Sequence, residues 1–132
     1  MNERRNRRLS AVLGVFLVAV AGGAAVLLGS EFLARPVLAG QISLLGLAGV
    51  CDLVAAVDSP LTARWAWYRW SGLGNVLLGV ALPLGFVGGG DELFFLVVTG
   101  VGGLSLAALG VDMIAFHGRY SRGERLDGQR SR

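Results

Sequence analysis

Four long apolar stretches, 9–28, 37–57, 71–88 and 93–116, alternate along the chain with short polar segments. Each approaches the roughly 20 residues that an α-helix needs to cross the hydrocarbon of a bilayer. None shows the strict apolar/polar alternation of a barrel strand, and hydrocarbon admits only segments that satisfy their own backbone amides. The pattern therefore predicts an all-α integral membrane protein with four transmembrane helices. On this reading residues 1–8 are a basic cytoplasmic N-terminus, 9–117 a four-helix transmembrane domain, and 118–132 a polar, disordered cytoplasmic tail. The first apolar run outlasts the about 7 to 15 residues of a secretory h-region and continues past Ala19-Val20-Ala21, so it is read as a retained span.

Helix punctuation agrees. Pro36 suits the first turn of the second helix, and Ser59-Pro60 reads as an N-cap followed by proline at N1 of a short interfacial segment. Pro83 falls inside the third helix and, with Gly79 and Gly85 nearby, is expected to kink it.

Composition strengthens the membrane reading. The 132 residues are 54% hydrophobic and only 16% charged, with a mean hydropathy of +0.63, outside the range of ordinary soluble domains. All 12 basic residues are arginine. Arg4, Arg5, Arg7 and Arg8 precede the first span, Arg64 and Arg69 join the second to the third, and Arg119, Arg122, Arg125, Arg130 and Arg132 follow the fourth. The opposite loops hold Glu31, Arg35, Asp91 and Glu92. By the positive-inside rule both termini are cytoplasmic, in a multi-pass protein of the plasma (inner) membrane. The net charge of +3 is then a matter of topology and anionic head groups, and nucleic acid is not among the expected partners. The segment Arg64-Trp65-Ala66-Trp67-Tyr68-Arg69-Trp70 holds all three tryptophans and reads as an interfacial anchor, with Arg64, Trp65, Trp67, Tyr68, Arg69 and Trp70 at head-group level.

Sliding the chain on itself by sixty residues pairs Leu33 with Leu93, Val37 with Val97, Gly40 with Gly100, Leu44 with Leu104, Ala48 with Ala108, Asp52 with Asp112 and Ala55 with Ala115. These steps of three and four trace one helical face. They suggest two tandem helical hairpins, a parallel 2+2 repeat whose shared face would line the middle, or else two Leu/Gly/Ala-rich spans that match by chance. Small residues at helical spacing, Gly40, Gly46 and Gly49 on the second helix and Gly100, Gly103 and Gly110 on the fourth, are expected at close helix contacts, within the chain or in a homo-oligomer or with a membrane-protein partner.

Polar groups inside the spans are the candidates for chemistry. Asp52 and Asp112 each lie about five residues, roughly 8 Å, from the cytoplasmic end of their helix, and Asn75 sits at similar depth. Gln41 shares a face with Asp52 about 16 Å towards the other side. One reading makes the two aspartates a pseudo-symmetric proton or cation site. The plainer reading pairs each with Arg64, Arg69 or Arg119, or with Asn75 and exposed backbone, so that they fix helix ends. Asp58 and Ser59 are expected to cap or terminate helices. His117 is the single histidine, which disfavours a bis-histidine haem. Cys51 is a lone cysteine, and Gly88-Gly89-Gly90 lacks the lysine of a phosphate loop. No cofactor, metal or catalytic set is expected.

The run Asn75-Val76-Leu77-Leu78-Gly79-Val80-Ala81-Leu82-Pro83-Leu84-Gly85-Phe86, preceded by Trp70, resembles one unit of the SPW-repeat membrane proteins. The family's Ser-Pro-Trp triplet stands here as Leu82-Pro83-Leu84. The resemblance implies a duplicated hairpin and no known activity. The expectation is an uncharacterised, non-enzymatic structural or accessory membrane protein; the alternative is a minimal oligomeric ion- or proton-coupled transporter or channel using Asp52 and Asp112.

Overall fold

The computed structural model describes residues 3–87 and 93–122. The helices are α1 Glu3–Leu28, α2 Pro36–Ala56, α3 Pro60–Arg64, α4 Trp67–Leu84, α5 Leu93–Ala115 and α6 Arg119–Arg122, with a 3-10 turn at Gly29–Phe32. No strand occurs among the described residues. The glycine triplet Gly88-Gly89-Gly90, Asp91, Glu92 and the tail arginines Arg125, Arg130 and Arg132 lie outside them.

Local chemistry moves several expected boundaries. α1 starts at Glu3 and not at Leu9, so the described part of the basic N-terminus is one helix with the first apolar run. Arginine is a good helix former, and Glu3, in the first turn where the helix dipole favours an acid, pairs with Arg7 at 3.5 Å. α2 begins on Pro36 as expected. Ser59 caps α3 through a reciprocal box: Thr62 N donates to Ser59 Oγ at 3.4 Å, and Ser59 N donates to Thr62 Oγ1 at 2.9 Å. α4 begins at Trp67, so half of the aromatic segment read as a loop is its first turn. Pro83 stands at the penultimate position of α4, where Phe86 N donates to Pro83 O at 3.1 Å; it ends the helix where a kink was expected.

Three helical segments, Glu3–Glu31, Pro36–Ala56 and Leu93–Ala115, are long and apolar enough to cross a membrane. α4 spans 18 residues but carries Arg69, Ser71 and Asn75 in its first half. The helices form a row in which α1 packs on α2, α2 on α4, and α4 on α5.

Glycines set the spacing of that row. At the α1–α2 seam, a Cβ built on Gly14 would lie 2.8 Å from Gly49 O, and one on Gly49 2.9 Å from Gly14 O. At the α4–α5 seam, Gly72 opposes Gly110 and Gly79 opposes Gly103, each against the other's carbonyl oxygen. Stepping forward by seven on α4 matches stepping back by seven on α5, so the two run antiparallel in close backbone contact. Of the six glycines expected at helix contacts, Gly49, Gly103 and Gly110 are there, and Gly46 makes an ordinary contact with Ala21 at 3.6 Å. Gly40 and Gly100 face open space among the described residues.

The shared face of the repeat is not a common lining. Ala48 and Ala55 are buried on α2, whereas their counterparts Ala108 and Ala115 on α5 are exposed, although Leu33, Val37, Leu93 and Val97 are exposed in both units and Asp52 and Asp112 are buried in both. The reason is position in the row: α2 has a long helix on each side, while α5 has α4 on one side and otherwise only the short α6 at its end.

Candidate functional site

The arginine-rich ends of the helices gather the polar groups. Antiparallel packing brings the start of α1, the end of α2, the start of α4 and the end of α5 together. Asp52 sits one turn before the end of α2 and is 1% exposed. It is wedged by Gly74 of α4, where an added Cβ would lie 3.3 Å from the carboxyl carbon, so the small residue lets α4 lie over the acid.

A cavity of about 160 Å³ opens beside it, lined by Asn6, Leu9, Ser10 and Leu13 of α1, Asp52 of α2, and Trp67, Ser71 and Asn75 of α4. Asn6 to Ser10 and Ser71 to Asn75 are each one helical turn, which places both polar pairs on the faces that meet α2. The Ser10 and Ser71 hydroxyls face each other at 3.3 Å. Ser71 lies beside the Asp52 carboxylate but is engaged with Ser10, and neither Asp52 oxygen completes a hydrogen bond. Asn6 is also buried, and its Nδ2 has no partner. A buried carboxylate without a partner costs on the order of several kcal/mol, so this is where the fold tolerates an uncompensated group.

Among the described residues no arginine pairs with Asp52, contrary to the pairing expected. Arg7, next to Asn6 on α1, turns instead to Asp58 at 2.6 Å and to Glu3. Asp58 is thereby an ion-pair partner of α1, and Ser59 alone does the capping.

Asp112 is elsewhere. Its Oδ1 accepts from Tyr120 N at 3.2 Å, and its backbone carbonyl accepts from Phe116 N and Gly118 N at 2.9 and 3.1 Å. His117 at φ 58° and Gly118 at φ 75° are both left-handed, which reverses the chain so that α6 folds back onto the end of α5. Asp112 thus ties down a helix terminus. It lines a pocket with Ser105, Ala108, Leu109 and Tyr120, and Asp52 is not among the residues of that lining. Asn75 bridges the two regions only weakly, donating Nδ2 to Met113 Sδ at 3.8 Å. Gln41 lies at the far end, against Gly85.

The anchor residues divide. Arg64 is exposed, and Trp65 and Trp70 are half-buried and stacked edge to face at 5.1 Å. Trp67 and Tyr68 are buried against Met113, because α4 has already begun and carries them into the α4–α5 seam. Arg69 donates to His117 Nε2 at 3.2 Å across the same seam. Asn6, Ser10 and Ser71 were missed as site residues. Their i, i+4 spacing with Ser10 and Asn75 was the available signal.

The sequence model described as "Family of unknown function (DUF7994)" matches residues 5–126. No curated protein and no solved structure matches the chain.

Proposed function

The chain belongs to the Family of unknown function (DUF7994), and from its geometry we propose that it is a non-enzymatic structural or accessory protein of the inner (plasma) membrane that crosses the bilayer four times. The fourth crossing is supported by the seam between α4 and α5. Gly72 and Gly79 hold α4 to Gly110 and Gly103 of the apolar α5. Tyr68 meets His117 at one end, and Phe86 stacks on Phe95 at 5.8 Å at the other. A helix bound along a spanning helix over that length shares its depth in the bilayer, and at about 1.5 Å per residue its 18 residues cover some 27 Å.

An even number of crossings leaves both termini on the side of the arginines, the cytoplasmic side by the positive-inside rule. The near-equal registers of the α1–α2 and α4–α5 seams support a duplicated hairpin, in keeping with the SPW-repeat resemblance. Sixty residues added to Gly14 and Gly49 give 74 and 109, two residues and one residue from the Gly72–Gly110 pairing. Lipid is the main partner, and the exposed apolar flank of α5, with Gly100 open, suits a second membrane helix of this or another chain.

The observation that carries the accessory reading is the separation of the two carboxylates, one a helix-end tie and the other a buried single site. Among the described residues the two carboxylates line different pockets, which does not favour a relay that uses both. The alternative, a minimal ion- or proton-coupled transporter or channel, retains Asp52 alone. Ion and proton flux into liposomes containing the purified chain separates the two. The accessory reading expects the flux of protein-free liposomes; flux that disappears with Asp52→Asn would establish the transporter instead.

A further inference from the structure

We infer that the cavity between α1, α2 and α4 binds a small monovalent metal cation of the sodium kind through Asp52 and the side-chain oxygens of Asn6, Ser10, Ser71 and Asn75. The inference goes beyond the accessory reading by assigning that protein a ligand. Three observations converge on it.

The first is charge. Asp52 is the one ionisable residue among those lining the cavity, it is almost wholly buried, and both of its oxygens are without hydrogen-bond partners. Arg7, the guanidinium next along α1 from Asn6, places its Nη1 on Asp58 and Glu3 and leaves its buried Nε and Nη2 without partners, and neither of these reaches an Asp52 oxygen. One negative charge is balanced by one positive charge, so a monovalent ion leaves the site neutral and a divalent ion would bury a net charge.

The second is donor type. Carboxylate, hydroxyl and amide oxygens are hard ligands, suited to hard cations, and no thiol or imidazole lines the site. Asn75 has its nitrogen on Met113 Sδ, so what it offers the cavity is its carbonyl oxygen. The unpartnered Asn6 amide offers its own after rotation. The Ser10 and Ser71 hydroxyls, 3.3 Å apart, each retain lone pairs.

The third is size. A volume of about 160 Å³ holds an ion together with a few waters at about 30 Å³ each. The donors come from three helices, and an ion among them ties α1 and α4 to α2 at the arginine-rich end.

The test is thermal unfolding of the full chain in detergent, with sodium chloride replaced by N-methylglucamine chloride at constant ionic strength. Sodium should raise the midpoint saturably, by about 5 °C at a tenfold excess over its dissociation constant, and Asp52→Asn should abolish the rise. If that variant does not fold, Ser10→Ala keeps the carboxylate and should weaken the apparent sodium affinity by about tenfold. Equal midpoints in the two salts overturn the assignment. So does a sodium effect that survives Asp52→Asn, or a Ser10→Ala affinity equal to that of the unmodified chain. A saturable response to calcium in place of sodium, or a midpoint that rises only on acidification in either salt, overturns it as well.

Discussion

Adding one methyl group at Gly49 tests whether glycine contacts set the helix spacing. The new Cβ would lie 2.9 Å from Gly14 O and 2.9 Å from both Val18 N and Val18 Cγ2, against 3.4 Å or more for ordinary contact. Two of these three atoms are backbone, so relief requires α1 and α2 to part by about 0.5 Å. Overpacking of this kind costs about 1–3 kcal/mol. Alanine also gains about 1 kcal/mol of helix propensity over glycine, which acts in the opposite sense. The net loss for Gly49→Ala is about 1 kcal/mol, a fall of about 4 °C in unfolding midpoint for a chain of this size. Gly40 on the same helix supplies the control, since a Cβ there meets nothing within 4 Å. Gly40→Ala carries only the propensity gain, so its midpoint should hold or rise by up to about 4 °C. Thermal unfolding in one detergent reads both. Should Gly49→Ala prove as stable as Gly40→Ala, the seam does not depend on close backbone approach and the reasoning fails.

Asp112→Ala should free the end of α5: losing the Tyr120 N bond, worth about 1 kcal/mol, raises trypsin cleavage after Arg119 about fivefold. Asp112→Asn keeps an oxygen acceptor and should stay within about twofold of the unmodified chain, as measured by limited proteolysis. Ser59→Ala removes the acceptor of the α3 capping box at a cost of about 1 kcal/mol, so the Thr62 amide should exchange its hydrogen about fivefold faster by mass spectrometry or NMR.

Much of the helical plan is legible in the residues, because unbroken apolar runs and the proline and serine signals at Pro36 and Ser59 act locally. What fails is wherever helix neighbours decide. The start of α1 at Glu3 runs through four arginines that apolarity alone excludes from a span. The packing of Trp67 and Tyr68 against Met113 depends on the α4–α5 seam, which their aromatic character alone does not reveal. Gly40 and Gly103 are alike in their helices, yet one faces open space and the other a backbone carbonyl, since only the order of the row determines which face meets a partner. Asp52 was readable as an unusual group within a span. Its equivalence to Asp112 was a property of alignment and not of environment: α2 is flanked by two helices, while α5 ends in a left-handed reversal at His117 that returns a backbone N–H to Asp112. Asn6 and Ser10 escaped notice because their significance depends on Ser71 and Asn75, sixty-odd residues away, meeting them across the cavity.

The number of membrane crossings is the claim on which the rest depends, and site-directed cysteine labelling measures it directly. In a Cys51→Ala background, single cysteines at Glu31, at Asp58 and at Tyr120 would be exposed to a membrane-impermeant thiol reagent in intact cells and in inverted membrane vesicles. Four crossings predict that the Glu31 position labels from outside the cell, and that the Asp58 and Tyr120 positions label only in inverted vesicles. Labelling of the Asp58 and Tyr120 positions from opposite sides would mean that α4 does not cross, and would contradict the account.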